Sequence, residues 1–255
     1  MSQFPPHQPP PPPMMYQSAG CLVLALLLLT GCLLPLIFVD LAQTALVNLH
    51  LSPTAAILVL MGMILGSVIN IPISRFPTDR EVVVPVFPSP TGTPVFPQYT
   101  RLRHEGVIAV NLGGCVIPVL LAVRLSRHIV EAGSVAIVAT CLGVIVNSLL
   151  CYRVAKTIPG LGIAIPLFVP ASVALVTAWI GLPLIGGLLG AAVPIDGSEF
   201  RAPAAFIVGI SGPLIGADLM HWPDFKKAGI GFASIGGAGT WDGIVLSGLL
   251  AALLA

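Results

Sequence analysis

Long apolar runs separated by short polar breaks organise this chain. Ala19 to Ala42 is unbroken apolar sequence containing Leu24 to Leu29, long enough to cross about 30 Å of hydrocarbon as a helix. Thr54 to Ser74 predicts a second span. It ends in Gly66-Ser67-Val68-Ile69-Asn70-Ile71-Pro72, a small-residue patch suited to close approach by another helix. Gly106 to Val123 predicts a third span, Gly133 to Cys151 a fourth and Pro203 to Met220 a sixth. Ile158 to Val193 is apolar but too long for one crossing, and Pro159, Pro166, Pro170 and Pro183 interrupt it. It predicts a fifth span plus a re-entrant or interfacial piece around Gly181 to Gly190, with Trp179 at headgroup level. Trp241 to Ala255 predicts a final helix too short to cross alone, so the glycine-rich sequence before it is expected to supply the remaining depth.

The polar breaks supply the rest of the architecture. Pro5, Pro6 and Pro9 to Pro13 hold residues 1–18 in an extended arm without internal hydrogen bonds, either a cytoplasmic tail or a stiff strut along a partner protein. Arg75 to Glu105 is the longest polar segment within the fold. Its valines at 82–84 and 86 and the turn sequence Pro88-Ser89-Pro90-Thr91-Gly92-Thr93 predict a small surface β-hairpin over 81–99, read as a lid or docking surface. The expected fold is an all-α, multi-pass transmembrane helical bundle over residues 19–255, with about seven membrane segments, some broken or re-entrant.

Composition agrees with a chain whose solvent is mostly lipid. Hydrophobic residues make up 56% and charged residues 8%, against about 25% charged in soluble domains. A net charge of +1 leaves no basic excess for nucleic acid. Cys21, Cys32, Cys115, Cys141 and Cys151 show no Cys-x-x-Cys spacing and read as small packing residues. His7, His50, His104, His128 and His221 share no ligand spacing, so neither metal nor cofactor is implied. Gly236-Gly237-Ala238-Gly239-Thr240 lacks the Lys-Ser/Thr ending of a phosphate loop, and Ser211, Ser234 and Ser247 have no base at motif spacing. No Lys or Arg precedes the first apolar run, which is too long for a cleavable signal.

Candidate chemistry concentrates near the C-terminus. Asp218 and Asp242 lie in apolar, glycine-rich sequence, where a carboxylate at membrane depth is costly without a partner, a proton or water. Between them come the polar break His221 to Lys227 and a run of glycines too dense for a regular helix, read as a hairpin with a partly unwound second arm. Asn70, Asn111 and the Pro159-Gly160-Leu161-Gly162 turn are expected at the same end of the bundle as Asp218. The candidate ligand-binding set is therefore Asp218, Asp242, Asn111, Asn70, Gly236, Gly237 and Gly239. The plainer reading has Asp218 paired to Lys226 or Lys227 and Asp242 capping the last helix.

Five segments carry a resemblance: Asn70 to Ile73, Ala109 to Gly114, Pro159 to Pro166, Leu214 to Leu219, and Ala233 to Ile244, the last reading Ala-Ser-Ile-Gly-Gly-Ala-Gly-Thr-Trp-Asp-Gly-Ile. The chain resembles the prokaryotic membrane-protein family called domain of unknown function 1614 over roughly Thr54 to Ala255. The resemblance implies a multi-pass bacterial or archaeal membrane protein and assigns no activity. The proline-rich arm lies outside it.

Three functions stay open on the residues. The first is a small-solute or ion permease, with both aspartates and unwound backbone at the site. The second is a non-catalytic subunit or assembly factor, docking through residues 1–18 and the 81–99 hairpin. The third is an intramembrane aspartyl protease with Asp218 and Asp242 as its catalytic pair, although Ala217 and Ile215 depart from the Gly-x-Gly-Asp pattern of such enzymes. Orientation follows from Lys and Arg. With the N-terminus cytoplasmic, Arg75, Arg80, Arg101, Arg103, Arg153, Lys156, Lys226 and Lys227 lie inside, against Arg124, Arg127 and Arg201 outside. Ser89→Cys on a cysteine-free background is thus expected to react with an impermeant thiol reagent only from the cytoplasmic side. Labelling solely from outside would reverse the orientation.

Overall fold

A computed structural model describes residues 15–84, 98–158, 162–190, 198–227 and 231–255. Residues 1–41 and 42–255 form separate compact units. In the first, helix α1 (Met15–Asn48) begins; the arm before Met15 lies outside the described residues. The helix is apolar on every face, as suits a segment surrounded by lipid.

The second unit holds the last turns of α1 and α2 (Pro53–Gly66), then strands β1 (Asn70–Val84) and β2 (Gln98–Asn111). A π-helical turn, Leu112–Val116, leads into α3 (Ile117–Glu131), and α4 (Ser134–Val154) follows. Two short strands, β3 (Lys156–Ile158) and β4 (Gly162–Ala164), pair before α5 (Phe168–Val176), which continues through a π turn at Thr177–Gly181 into α6 (Leu182–Leu188). Helix α7 (Ser198–Ser211) passes into a longer π segment, Gly212–Leu219, and α8 (Trp222–Lys227) closes that arm. Strand β5 (Phe232–Ile235), a turn and α9 (Gly243–Leu254) complete the chain.

Among the described residues, five helices are long and apolar enough to cross a membrane: Gly20–Asn48, Leu112–Glu131, Ser134–Val154, Phe168–Leu188 and Glu199–Asp224. Helices α2 and α9 are apolar but only 14 and 12 residues long. Several sequence-based boundaries therefore change. The second span stops at Gly66, because Val68, Ile69, Ile71 and Pro72 favour extended backbone, and Asn70 opens a strand. Gly106 to Asn111 belongs to β2, so the third span begins at Leu112 and carries Arg124, Arg127 and His128 within its helix. The sixth span starts earlier than Pro203, since Glu199 and Arg201 lie in α7. Gly181 to Leu188 forms no separate re-entrant piece; it extends the same helix as α5. The hairpin is longer than expected, pairing Asn70 with Asn111 at one end and Val84 with Gln98 at the other; its turn at 88–93 lies outside the described residues. The glycine-rich arm contributes β5, which adds parallel to β2 from Val107↔Phe232 to Val110↔Ile235.

Prolines explain the π turns. Pro118 and Pro183 each follow one by two residues, and Pro213 lies inside the third. A proline has no N–H for the ladder and its ring crowds the carbonyl four residues back; a wider turn moves that carbonyl aside. Carbonyls of α5 and α7 find side chains. Asn147 Nδ2 donates to Val208 O at 2.8 Å and to Pro170 O at 3.1 Å, and Ser247 Oγ lies 2.7 Å from Gly209 O.

Helix α7 sits at the centre. Ala204, Ala205, Phe206 and Val208 are fully buried, and Gly209 approaches Gly248 of α9 so closely that a Cβ would meet its Cα at 3.0 Å. Small residues of this kind let helices pack tightly where no hydrophobic effect drives them together. The sheet is held to the bundle by a small core of Phe76, Ile108 and Ala233, against which Ile163 and Trp222 pack. Asn147→Ala is expected to lower unfolding stability in detergent by about 1–2 kcal/mol, since it strips the donor from two buried carbonyls. An unchanged melting midpoint would show that these bonds carry no stability.

Candidate functional site

Asp218 stands near the end of the π segment Gly212–Leu219. His221 fixes this end of the helix, its Nδ1 donating toward Gly216 O and Ala217 O at 3.1 and 3.0 Å while its ring stacks on Tyr152. The Asp218 carboxylate accepts a hydrogen bond from the Gly236 backbone N–H. Asp242 is the N-cap of α9: one oxygen accepts from Ile244 N at 3.0 Å and the other from Ala238 N at 3.2 Å. Capping accounts for its place at a helix start, and the same carboxylate is close enough for its charge to act on Asp218.

Both aspartates line one cavity of about 450 Å³. One wall is Pro213 and Ala217 of the π segment, and a second is Ile163 to Ile165 after β3. Phe232 to Ser234 of β5 form a third, and Gly236, Gly237, Ala238 and the start of α9 close it. Polar groups converge from separate elements onto a half-apolar hollow, the form that ligand sites take.

Of the sequence-predicted residues, Asp218, Asp242, Gly236 and Gly237 meet at this cavity, whereas Asn70, Asn111 and Gly239 do not line it. They build the junction behind it. Asn111 is fully buried: its Oδ1 accepts from Gly114 N at 2.7 Å, and its Nδ2 donates to Ser67 O at 2.7 Å and Asn70 Oδ1 at 3.1 Å. Asn70 Oδ1 also accepts from Ser234 Oγ at 2.5 Å. Ser67 Oγ donates to Met63 O at 2.6 Å and accepts from Thr240 N at 3.1 Å.

Glycines let these backbones touch. A Cβ on Gly113 would run into Met63 O, one on Gly114 into Gly236 O, and one on Gly239 into Ser67. Gly236 and Gly239 also have φ of 69° and 64°, which L side chains rarely adopt. The turn at 236–239 is therefore a packed corner that aims the Gly236 N–H at Asp218 and the Ala238 N–H at Asp242, while Gly236, Gly237 and Ala238 also line the cavity. The plainer reading of Asp218 rested on the side chains of Lys226 and Lys227, which lie outside the described residues. For Asp242 the cap is present, and so is the cavity.

Sequence reasoning missed Ser67, Ser234 and Thr240 as members of the junction and Ile163 and Ile165 as cavity wall. A signal existed for each, since Ser67 stands in the small-residue patch and the others in the quoted landmark segments. Among the described residues no three of His, Cys, Asp and Glu are grouped to hold a metal.

The model of the family described as "Protein of unknown function (DUF1614)" matches residues 64–254. The chain belongs to that family. No curated protein and no solved structure matches it. The matched segment contains the cavity and nearly all of the junction and leaves out α1 and most of α2. Gly239→Ala and Gly133→Ala separate the two costs of a glycine corner. Gly133 has φ of 97° and ψ of −174° with open space around it, so alanine there is expected to cost only the conformational penalty of about 1–3 kcal/mol. Gly239→Ala adds the collision with Ser67 and is expected to destabilise more, read as the difference between the two melting midpoints. Equal midpoints would mean that the junction yields to the added methyl.

Proposed function

We propose that this membrane protein is a small-solute or ion permease-like carrier in a prokaryotic cell membrane, oriented with its N-terminus in the cytoplasm, and that Asp218 and Asp242 take up a cation or proton. The observation that supports this reading is the shared cavity. Two carboxylates on separate elements reach one hollow beside interrupted helix, the arrangement in which transporters hold their ligands. Irregular backbone is tolerated at membrane depth where it is buried in protein or lines a wet cavity, and the π segment before Asp218 and the turn before Asp242 are such backbone. Counting α2 and α9 with the five longer helices gives seven membrane segments, and the sheet lies at the cytoplasmic end.

In this reading Asp218 is the exchanging group, because one backbone N–H leaves most of its lone pairs open. Asp242 is held by two backbone donors and contributes fixed negative charge. The two docking segments, residues 1–18 and 81–99, fall largely outside the described residues and lend the subunit reading no geometry. In proteoliposomes carrying a pH-sensitive dye, wild-type protein is expected to conduct protons or to exchange them for an added cation. Asp218→Asn is expected to abolish that flux, and Asp242→Asn to reduce it strongly, with both variants still extracted as folded protein. Flux unaffected by either substitution would remove the permease reading, and cleavage of a reporter span lost in both would replace it with the protease.

A further inference from the structure

The buried face of α4 carries polar side chains at Thr140, Asn147 and Ser148, in a helix otherwise composed almost wholly of apolar residues. Thr177 joins them from the π turn of the neighbouring helix: at Gly143 the missing side chain leaves room for its hydroxyl and methyl, which a Cβ there would meet at 2.7 and 2.6 Å. Asn147 and Thr177 are accounted for. The amide serves Pro170 O and Val208 O, and Thr177 Oγ1 donates to Val173 O at 2.9 Å.

Thr140 and Ser148 are different. Each is enclosed, with 5% and 6% of its surface exposed, and their hydroxyls are the buried side-chain polar atoms that lack a hydrogen-bond partner among the described residues. A helical serine or threonine ordinarily turns back to a carbonyl in the preceding turn, so two such hydroxyls on one helix face need another partner. They stand eight positions apart, about 12 Å along the axis at 1.5 Å per residue, with Gly143, Thr177 and Asn147 between them. The lower end lies behind the segment that carries Asp218: Gly216, two residues before that aspartate, packs directly on the Ser148 carbonyl and the Cys151 side chain.

We propose that this column binds water, and that Ser148, Asn147, Thr177 and Thr140 form a hydrated path leading from the Asp218 cavity into the middle of the bundle. Water fits the chemistry because each hydroxyl can both donate and accept, and a buried water takes two to four such partners. The path extends the permease reading by supplying a proton with a route beyond Asp218, while its hydration stands apart from whether any flux occurs.

The test is thiol accessibility in membrane vesicles. On a background with the five native cysteines replaced, Ser148→Cys and Thr140→Cys are expected to react with a small, water-soluble methanethiosulfonate, whereas Ala139→Cys, buried on the same helix among Ile129, Ala136, Leu182 and Ala204, stays unmodified. A second readout covers a cysteine variant that fails to fold: Thr140→Val and Ser148→Ala are expected to lower the melting midpoint by displacing bound water. Unreactive cysteines, or a raised midpoint on removing the hydroxyls, overturn the path, since a dry, orphaned hydroxyl is a burden whose loss stabilises. The outcomes also part from the permease reading. Unreactive cysteines with Asp218-dependent flux remove the path and keep the carrier; reactive cysteines without flux keep the path and remove the carrier.

Discussion

Where lipid replaces water, a backbone N–H or C=O that leaves its ladder must be met by another protein group, and the arrangement of this chain follows from that demand. Pro213 crowds the carbonyl four residues back, and a side chain of the neighbouring helix answers it. Asn147 takes Val208 O and Pro170 O, and Ser247 reaches Gly209 O. These side chains lie on α4 and α9, so the cost of a broken helix is met by the helices packed against it. The same interruptions shape the site, because the π segment after α7 ends with Asp218 turned toward β5 and the corner that follows it.

A second consequence concerns how the sheet and the bundle share one structure. Strand β2 runs straight into the π turn before α3, with Asn111 at the changeover, fully buried and bonded to three separate partners. That asparagine ties α2, β1 and the start of α3 together, and Ser67 extends the tie to the turn before α9. The carboxylates are positioned from behind by this junction. Asp242 is aimed by the amides of a corner whose glycines cannot accept a side chain, and Asp218 is steadied by His221 on its own arm and by Gly236 across the gap. A change at Gly114 or Gly239 reaches the cavity through backbone displacement, with no ligand contact of its own.

Much of this was legible in the amino-acid sequence. Apolar run lengths identified the long helices, since hydrocarbon thickness sets how many residues a span requires, and the scarcity of charge settled the solvent. Asp218 and Asp242 stood out because a carboxylate among leucines and glycines has few inexpensive explanations. Asn70, Asn111 and the glycines at 236–239 were singled out for the same reason: polar or flexible residues in apolar surroundings mark places where regular structure ends. The sequence by itself thus determined the membrane class and marked residues that the fold brings to the cavity and to the junction behind it. What it could not carry was the role of each. Asn70 and Gly106 to Asn111 read as helix because an apolar run rich in β-branched residues has no period that separates a span from a buried strand; the pairing of β1, β2 and β5 decided it, across more than a hundred residues of sequence. Tertiary structure alone placed Asn111 behind the cavity and Asp242 within it. Which face of a turn looks onto open space is settled by whatever packs against the opposite face.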